Sequence, residues 1–276
     1  MQLSDLDFDK LRKFIYATSA ISLSDKKKAL VQSRLGKRIK QLGLSSFKEY
    51  YRYITNHEND AEVSIMIDFI STNVTSFFRE EPQWNYLREN MDIFKDILKH
   101  RGGIKIWSAA CSSGQEPYTI AMFLKDEFKI ARRAGDIKIL ATDISNEILG
   151  KAIQGEYSAK DMSGLNRLQT QKYFSHTKGK DGGTYRVSDE LRKLIMFRQF
   201  NLTRGDYAIF GKTKFDIIFC RNVMIYFDAM TRKKLIEEYH NLLNPEGLLF
   251  LGHSESVPRE LFNKFKVLKS SIYKKV

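Results

Sequence analysis

Residues 104–124, with the sequence IKIWSAACSSGQEPYTIAMFL, constrain the fold of this chain more than any other stretch. The apolar residues Ile104, Ile106 and Trp107 lead into a run of small residues that ends at Gly114, and an apolar helical pattern follows. This order predicts a buried strand, a tight turn and a helix. In an open α/β sheet, such a turn presents backbone N–H groups and a helix N-terminus to a ligand.

The residues of this turn favour a nucleotide-like cofactor without a pyrophosphate. Gly114 is the only glycine of the turn, whereas dinucleotide-binding turns are rich in glycine. Glu116 adds a carboxylate, which suits a cationic or hydroxyl-bearing ligand better than a pyrophosphate. The turn therefore favours S-adenosylmethionine over NAD.

Composition sets the class of protein. The chain has 276 residues, of which 42% are hydrophobic, enough for one large domain or a large domain and a small one. Cys111 and Cys220 lie far apart, which favours reduced, buried thiols, and the histidines lack metal-ligand spacing, so no metal site is expected. Without a signal-peptide pattern or an apolar run of about 20 residues, we expect a cytoplasmic protein with no membrane insertion.

The basic character of the chain concentrates near its N-terminus. The net charge is +13, and residues 26–40 hold seven basic side chains and no acidic one. Residues 1–70 are predicted to be helical, and in this segment Val31, Leu35 and Ile39 share one helix face while the basic residues gather on the other. The basic face is interpreted as a docking surface for an acidic partner. The alternative is a solvated face that keeps a small helical domain soluble.

Polar residues are predicted at the ends of two further strands. Residues 137–143 form a buried strand that ends in Asp143, where an acid accepts hydrogen bonds from a cofactor ribose. Asp143 is also placed to cap a helix predicted over residues 144–153. Arg221, Asn222 and Tyr226 follow a central strand at residues 216–220, at the edge where such sheets bind ligands.

Two segments interrupt this α/β pattern. Residues 71–80 place short polar side chains beside Arg79 and resemble part of a site. Within residues 155–200, short alternating runs at 172–176 and 184–188 flank a polar turn, and a third run covers 194–200. We interpret these runs as a small antiparallel insertion that shapes a substrate or partner surface, or that only adds stability.

Several stretches together resemble the CheR family of chemotaxis receptor methyltransferases. They span residues 70–256 in family order: STNVTSFFRE, IWSAACSSGQEPYTIAM, LATDIS, FDIIFCRNVMIYF and GLLFLGHSES. The resemblance implies an α/β fold, with an all-α domain at residues 1–70 and a Rossmann-like S-adenosylmethionine-dependent methyltransferase domain at 71–276 that contains the β insertion, 155–200. The implied reaction transfers methyl groups to glutamate carboxylates of methyl-accepting chemotaxis receptors. Its products are glutamate methyl esters and S-adenosylhomocysteine, and it serves adaptation in bacterial signal transduction.

The resemblance also implies roles for individual residues. Arg79 and Tyr226 would lie near the transferred methyl group as catalytic residues, Asp143 would bind the ribose, and Asn201 with Leu202 would flank the adenine. The full implied cofactor-binding set is Asn73, Thr75, Arg79, Glu116, Asp143, Asn201, Leu202, Arg221 and Asn222. This chain has Gln115 where the family usually has an acid and Cys111 where a small residue is common.

Partners follow from the same resemblance. Glutamate-rich cytoplasmic helices of chemoreceptors would dock on Arg34, Lys37 and Arg38, which implies recruitment to membrane receptor arrays. In some members of the family, a tether peptide from the receptor C-terminus binds the β insertion.

Two alternative functions are weighed against this one. The positive charge suits an RNA or DNA methyltransferase, but the [D/N]PP[Y/F] signature of amino-methylating enzymes is replaced by RNVMIY, so no nucleic-acid partner is expected. A non-catalytic S-adenosylmethionine-binding regulator would show a degenerate site, whereas the polar residues of the motifs are all present.

Overall fold

The computed structural model describes residues 1–56, 59–71, 73–128, 137–179 and 182–276. Residues 180 and 181 of the predicted polar turn, and Thr72 of the first family stretch, lie outside the described residues. The described chain forms a helical N-terminal unit, a seven-stranded sheet flanked by helices, and a three-stranded antiparallel sheet.

The N-terminal unit is helical, as predicted. Ser4 and Ser46 cap two of its helices by accepting hydrogen bonds from backbone N–H groups. Leu11, Val31 and Leu35 are fully buried in a core shared by all of these helices. The helices are α1 (Asp5–Ser19), α2 (Lys28–Gln41), α3 (Phe47–Ile54) and α4 (Asp60–Ile70).

The two arginines of α2 belong to the predicted basic face, but both bind groups within the protein. Arg34 donates to two carbonyl oxygens at the C-terminal end of α4, at 2.7 and 2.9 Å. Arg38 donates to both carboxylate oxygens of Glu62, at 2.9 and 2.6 Å, and the Glu62 side chain is only 5% exposed. Lys37 is exposed. A helical projection missed this because it does not show how far a long side chain reaches toward a neighbouring helix.

The large sheet is of the doubly wound type. Its strand order is β6-β2-β1-β7-β8-β10-β9, and β6, β2, β1, β7 and β8 run parallel, whereas β10 is antiparallel to both of its neighbours. The central strand β7 is buried along its whole length, as expected for a strand covered on both faces. The strands are β1 (Ile104–Ser108), β2 (Ile137–Asp143), β6 (Ile195–Gln199), β7 (Phe215–Cys220), β8 (Leu243–Leu251), β9 (Phe265–Lys269) and β10 (Ile272–Lys275).

The small sheet has a different third strand from the predicted one. Its order is β3-β5-β4, with β3 (Glu156–Ser158), β4 (Phe174–Thr177) and β5 (Thr184–Val187). The prediction that residues 194–200 belong to the insertion was wrong, since β6 pairs in parallel with β2 in the large sheet. An apolar run predicts a strand but not its pairing partner, so the pattern at residues 194–200 does not show whether this strand joins the small sheet or the large one.

Helices cover both faces of the large sheet. Two helices lie within residues 81–101, and the helix after β2 is capped by Ser145, whose side chain accepts from the backbone N–H of Ile148 at 3.1 Å. No helix in the described ranges is long and apolar enough to cross a membrane. These helices are α5 (Glu81–Glu89), α6 (Asp92–Arg101), α7 (Gln115–Phe128), α8 (Asn146–Gln154), α9 (Arg167–Tyr173), α10 (Asp189–Arg192) and α11 (Ala229–Leu242).

The N-terminal unit is attached at the carboxyl edge of the parallel strands. The backbone N–H of Ser22 donates to the carbonyl oxygen of Tyr226 at 2.9 Å. The side chain of Asn201 donates to the carbonyl of Thr18 at 3.0 Å, beside a second contact from the same loop to the end of α1. The helical unit therefore covers the edge at which doubly wound sheets bind ligands.

Candidate active site

A cleft opens between the N-terminal unit and the carboxyl edge of the sheet. Its empty space, which includes part of the open mouth, is about 1300 Å³. The N-terminal unit contributes Ser19, Ile21, Ser22, Leu23, Lys27 and Leu30 to its wall. All residues predicted to be catalytic or cofactor-binding line it: Asn73, Thr75, Arg79, Glu116, Asp143, Asn201, Leu202, Arg221, Asn222 and Tyr226. Arg34, Lys37 and Arg38 lie outside the cleft.

The predicted strand, turn and helix at residues 104–124 are confirmed as β1, the following turn and α7. Gly114 has a φ of +97°, and a Cβ there would lie 2.9 Å from the Tyr157 hydroxyl oxygen and 3.0 Å from the Cβ of Ala152. Both the backbone conformation and the close packing thus require glycine. The Tyr157 hydroxyl donates to the carbonyl of Ser113 at 2.7 Å, which fixes the turn against the small sheet.

Asp143 ends β2 inside the cleft and is 8% exposed. Its Oδ2 accepts from the backbone N–H of Ser112 at 2.8 Å, and its Oδ1 accepts from that of Ser145 at 3.1 Å. Burial raises the pKa of the carboxyl, and these backbone hydrogen bonds offset only part of the rise. The prediction that Asp143 also caps the following helix was wrong, since Ser145 caps α8. A carboxylate oxygen accepts more than one hydrogen bond, so Asp143 can also receive one from a ligand hydroxyl.

A buried cluster of Arg221, Glu80 and Glu116, here called the Arg221 cluster, forms another part of the site. The Arg221 side chain is 3% exposed, and its Nε and Nη1 lie 3.3 Å from Glu80 Oε2 and 3.4 Å from Glu116 Oε2. Glu116 also accepts from the Ser108 hydroxyl at 2.6 Å. Burial raises the pKa of Glu116, and Arg221 and Ser108 oppose the rise. With both carboxylates ionised, the cluster carries one more negative than positive charge.

Glu80 was not predicted as a site residue, although it ends the stretch STNVTSFFRE. It adopts a left-handed backbone with a φ of +62°, and its Oε1 accepts from Asn222 Nδ2 at 3.2 Å and from the backbone N–H of His253 at 3.1 Å. Burial alone would raise the pKa of Glu80, but the Arg221 charge and these hydrogen bonds bring the pKa below its ordinary value. The only signal in the sequence was its position next to Arg79.

Replacing Glu80 by Gln is expected to change how stability depends on pH. Since the folded-state pKa of Glu80 is lowered, its ionised form stabilises the fold above the ordinary glutamate pKa of about 4.3, and this contribution is lost as the pH falls through the folded-state value. The free energy of unfolding of Glu80→Gln, measured with denaturant, should therefore be about 1–3 kcal/mol lower than that of wild type near pH 7. The two free energies should converge below about pH 4. Glu89→Gln, an exposed change at the end of α5, is the control. A difference that stayed constant with pH would contradict this role.

Arg79 lies in a loop that packs onto the turn after β1. Its guanidinium donates to the carbonyl of Val74 at 2.8 Å, and the Ser112 hydroxyl donates to the carbonyl of Asn73 at 3.2 Å. Tyr226 ends a short 3-10 helix (Met224–Tyr226) after β7 and also lines the cleft, and its hydroxyl has no hydrogen-bond partner among the described residues. Arg79 and Tyr226 thus bring a guanidinium and a phenol to the same cleft.

Asn201 and Leu202 form part of the wall rather than offering a free amide. Asn201 Oδ1 accepts from the backbone N–H groups of Thr203 and Arg204 at 3.0 and 3.1 Å, and its amide donates to the end of α1. Leu202 is 8% exposed and adds apolar surface. This pair therefore adds apolar surface to the wall and leaves the Asn201 amide bonded within the protein.

The strand order, the carboxyl-edge cleft and the acid at the end of β2 define a Rossmann-like domain, of the class that binds a nucleotide-like cofactor at the edge of its sheet. The family model described as CheR methyltransferase, SAM binding domain, matches residues 73–274, and CheR methyltransferase, all-alpha domain, matches residues 6–71. This chain belongs to the CheR methyltransferase family.

Individual relatives agree. The chain is 38% identical to chemotaxis protein methyltransferase 2 of Vibrio cholerae, over 99% of this chain and 94% of that protein. It is 37% identical to the chemotaxis protein methyltransferase of Salmonella typhimurium, over 99% of this chain and 91% of that one. Among solved structures, TehB from Haemophilus influenzae gives a TM-score of 0.35 at 10% identity over 65% of this chain and 52% of that chain, too remote a likeness to carry an argument.

The chemistry of the cleft fits S-adenosylmethionine. The excess negative charge of the Arg221 cluster suits a sulfonium cation, and Asp143 offers acceptor atoms to hydroxyl groups. Leu202 and Phe200 line the same cleft with apolar surface. The described residues contain no group of three or more His, Cys, Asp and Glu side chains able to hold a metal ion.

Proposed function

We propose that this chain transfers a methyl group from S-adenosylmethionine to glutamate carboxylates of chemoreceptors. The products would be glutamate methyl esters and S-adenosylhomocysteine. The observation that carries the proposal is the single cleft that gathers every predicted cofactor-binding and catalytic residue between the two parts matched by the CheR models. The names of the relatives, chemotaxis protein methyltransferases, support the same pathway.

The proposed reaction needs alignment more than proton transfer. When bound, the cofactor supplies an electrophilic methyl group on its sulfonium. A glutamate with a pKa of about 4.3 is already ionised near pH 7, so its carboxylate attacks without a general base. Fixing the acceptor in line and excluding water can contribute about 7–11 kcal/mol.

We assign the polar groups of the cleft to this alignment. Tyr226 donates a hydrogen bond to one acceptor oxygen, and Arg79 orients a carboxylate, either that of the cofactor or that of the acceptor. Asp143 binds the ribose, and Asn201 with Leu202 flanks the adenine. The remaining cofactor contacts are Asn73, Thr75, Glu116, Arg221 and Asn222.

We also propose the domain limits and the docking sites. The all-α domain covers residues 1–70 and the methyltransferase domain covers 71–276, with an insertion that begins at 155 and ends before β6. A receptor tether peptide would pair with an outer strand of the small sheet, β3 or β4, by strand addition. Together with docking on α2, this would recruit a cytoplasmic enzyme to receptor arrays.

Docking on α2 should depend on its exposed lysines. Because Arg34 and Arg38 hold α2 against α4, the proposed acidic receptor helix would meet Lys37 and Lys40, both exposed. Reversing both charges, Lys37→Glu with Lys40→Glu, should slow receptor methylation about 5-fold at low salt and much less at high salt, since screening removes the attraction. Initial rates across a salt series measure this. Lys266→Glu on β9 is the control. Equal rates for the double variant and wild type at low salt would mean that the basic face of α2 is only solvated and does not dock the receptor.

The proposed reaction is tested with S-adenosylmethionine carrying a radiolabelled methyl group. The protein is incubated with membranes that contain chemoreceptors, in parallel with RNA and DNA, and the products are treated with mild base. Label on a receptor-sized band that mild base releases as methanol is the expected result. Label on nucleic acid alone would instead support an RNA or DNA methyltransferase. Cofactor binding without any transfer would support a non-catalytic regulator.

A further inference from the structure

Another buried carboxylate, that of Glu255, binds the segment that carries Tyr226. Glu255 follows β8 and is 8% exposed. Its Oε2 accepts from the backbone N–H groups of Asn222 and Gly252 at 2.9 and 2.7 Å, and its Oε1 accepts from that of Ile225 at 3.3 Å. One side chain thus binds the loop at residues 221–226 near both of its ends.

Asn222 donates hydrogen bonds to two carboxylates. Its backbone has a φ of +59°, in the left-handed region that costs energy for a residue other than glycine. Its N–H donates to Glu255, while its side-chain amide donates to Glu80 at 3.2 Å. These bonds fix Asn222 in this conformation, which asparagine adopts more readily than most residues, and Arg221 and Asn222 both line the cleft.

Gly252 leaves the space that this arrangement needs. A Cβ at this position would lie 2.7 Å from both Asn222 Nδ2 and Glu255 Oε2. Any side chain here would displace the amide or the carboxylate. The backbone N of Asn222 would also lie only 2.8 Å from this Cβ, so the close approach of the two backbone segments depends on glycine at this point.

We propose that Glu255 is a positioning residue for methyl transfer, which it serves by fixing the loop that presents Asn222 and Tyr226 to the cleft. The inference rests on the proposed role of Tyr226. A carboxylate buried this deeply is costly unless its oxygens are hydrogen-bonded, and here the bonds go to backbone N–H groups of the cleft loop. Glu255 touches neither the cofactor nor the acceptor in this account, and it acts through the backbone.

Glu255→Gln tests the proposal with almost no change of volume. If the glutamine oxygen takes the place of Oε2, its NH₂ group faces the N–H of Ile225, and two donors oppose each other. The loop should shift, so kcat should fall about 10-fold, whereas the Kd for S-adenosylmethionine should rise only about 3-fold, because the proposed contact from Asn222 is weakened while those from Asp143 and Glu116 remain. Glu260→Gln, the same change at an exposed position five residues further on, is the matched control. Glu255→Asp, which keeps the charge with a shorter reach, serves if the glutamine variant does not fold, and its kcat should fall as well.

Amide hydrogen exchange provides a second readout that needs no acceptor. The amides of Asn222 and Ile225 should be protected in wild type and in Glu260→Gln, and should exchange faster in Glu255→Gln. Unchanged exchange, or faster exchange with unchanged kcat, would overturn the positioning role while leaving the proposed function intact. A wild-type protein that leaves no base-labile label on receptors would overturn the proposed function itself, and with it the role of Glu255 in methyl transfer.

Discussion

Arg221→Met is expected to lower the free energy of unfolding by about 3–5 kcal/mol near pH 7, because removing one partner of a buried ion pair leaves the other charge uncompensated. Arg221 is 3% exposed, and the Glu80 and Glu116 side chains beside it are 11% and 12% exposed. Methionine fills a similar volume but leaves the carboxylates of Glu80 and Glu116 without the cation that they share. Urea unfolding measures the stability, and calorimetry should show weaker S-adenosylmethionine binding, because Arg221 is itself one of the proposed cofactor contacts.

Two further variants make this prediction specific to the Arg221 cluster. Arg232→Met, on the exposed side of α11, makes the same chemical change and should alter stability by less than about 0.5 kcal/mol. Adding Glu80→Gln to Arg221→Met should recover part of the lost stability, because it removes one of the uncompensated charges. If Arg221→Met unfolds at the same urea concentration as wild type, the cluster does not stabilise the cleft as described.

Tyr226→Phe is expected to lower kcat about 100-fold while leaving the Kd for S-adenosylmethionine nearly unchanged. The Tyr226 hydroxyl has no partner among the described residues, so its removal should cost little stability. In the proposed reaction, this hydroxyl fixes one oxygen of the bound acceptor carboxylate and so aligns the acceptor with the methyl group, whereas it makes no contact on which cofactor binding depends. Steady-state rates on receptor membranes, paired with calorimetric cofactor binding, separate the two quantities.

The matched control for this variant is Tyr51→Phe, a change on α3 away from the cleft, which should leave both quantities as in wild type. Unchanged turnover in Tyr226→Phe would remove the hydroxyl from the mechanism. Arg79→Ala, measured alongside, decides which carboxylate Arg79 orients. A fall in kcat alone places it on the acceptor, whereas a rise in the cofactor Kd places it on the methionine carboxylate of the cofactor.

Local sequence patterns predicted the framework of the cleft. Residues 104–124 give β1 and α7 because an apolar run, small residues and a helical period follow one another within one segment. Residues 137–143 were predicted as a strand that ends in an acid, and β2 has these bounds. Such features depend on neighbours in the chain, which a single sequence displays directly.

Features that depend on distant contacts were missed. Glu80 and Arg221 are separated by 141 positions, and nothing in either local sequence shows that they meet. Glu255 binds backbone N–H groups, which leave no trace in the identity of the residues that donate them. The same reason explains Arg38, whose partner Glu62 lies on another helix, and the pairing of β6 with β2. The sequence therefore supplies the elements and many of the side chains, whereas packing decides which buried charges meet.

The central claim is that this cleft methylates glutamate side chains of chemoreceptors. The most direct measurement is mass spectrometry of receptor peptides after incubation with the protein and S-adenosylmethionine. The account predicts an added methyl group on glutamate side chains that mild base removes, and its absence when Tyr226→Phe replaces wild type for the same short reaction time. A base-stable methyl group on lysine or another nitrogen-containing side chain, or unmodified receptors beside a protein that binds the cofactor, would contradict it.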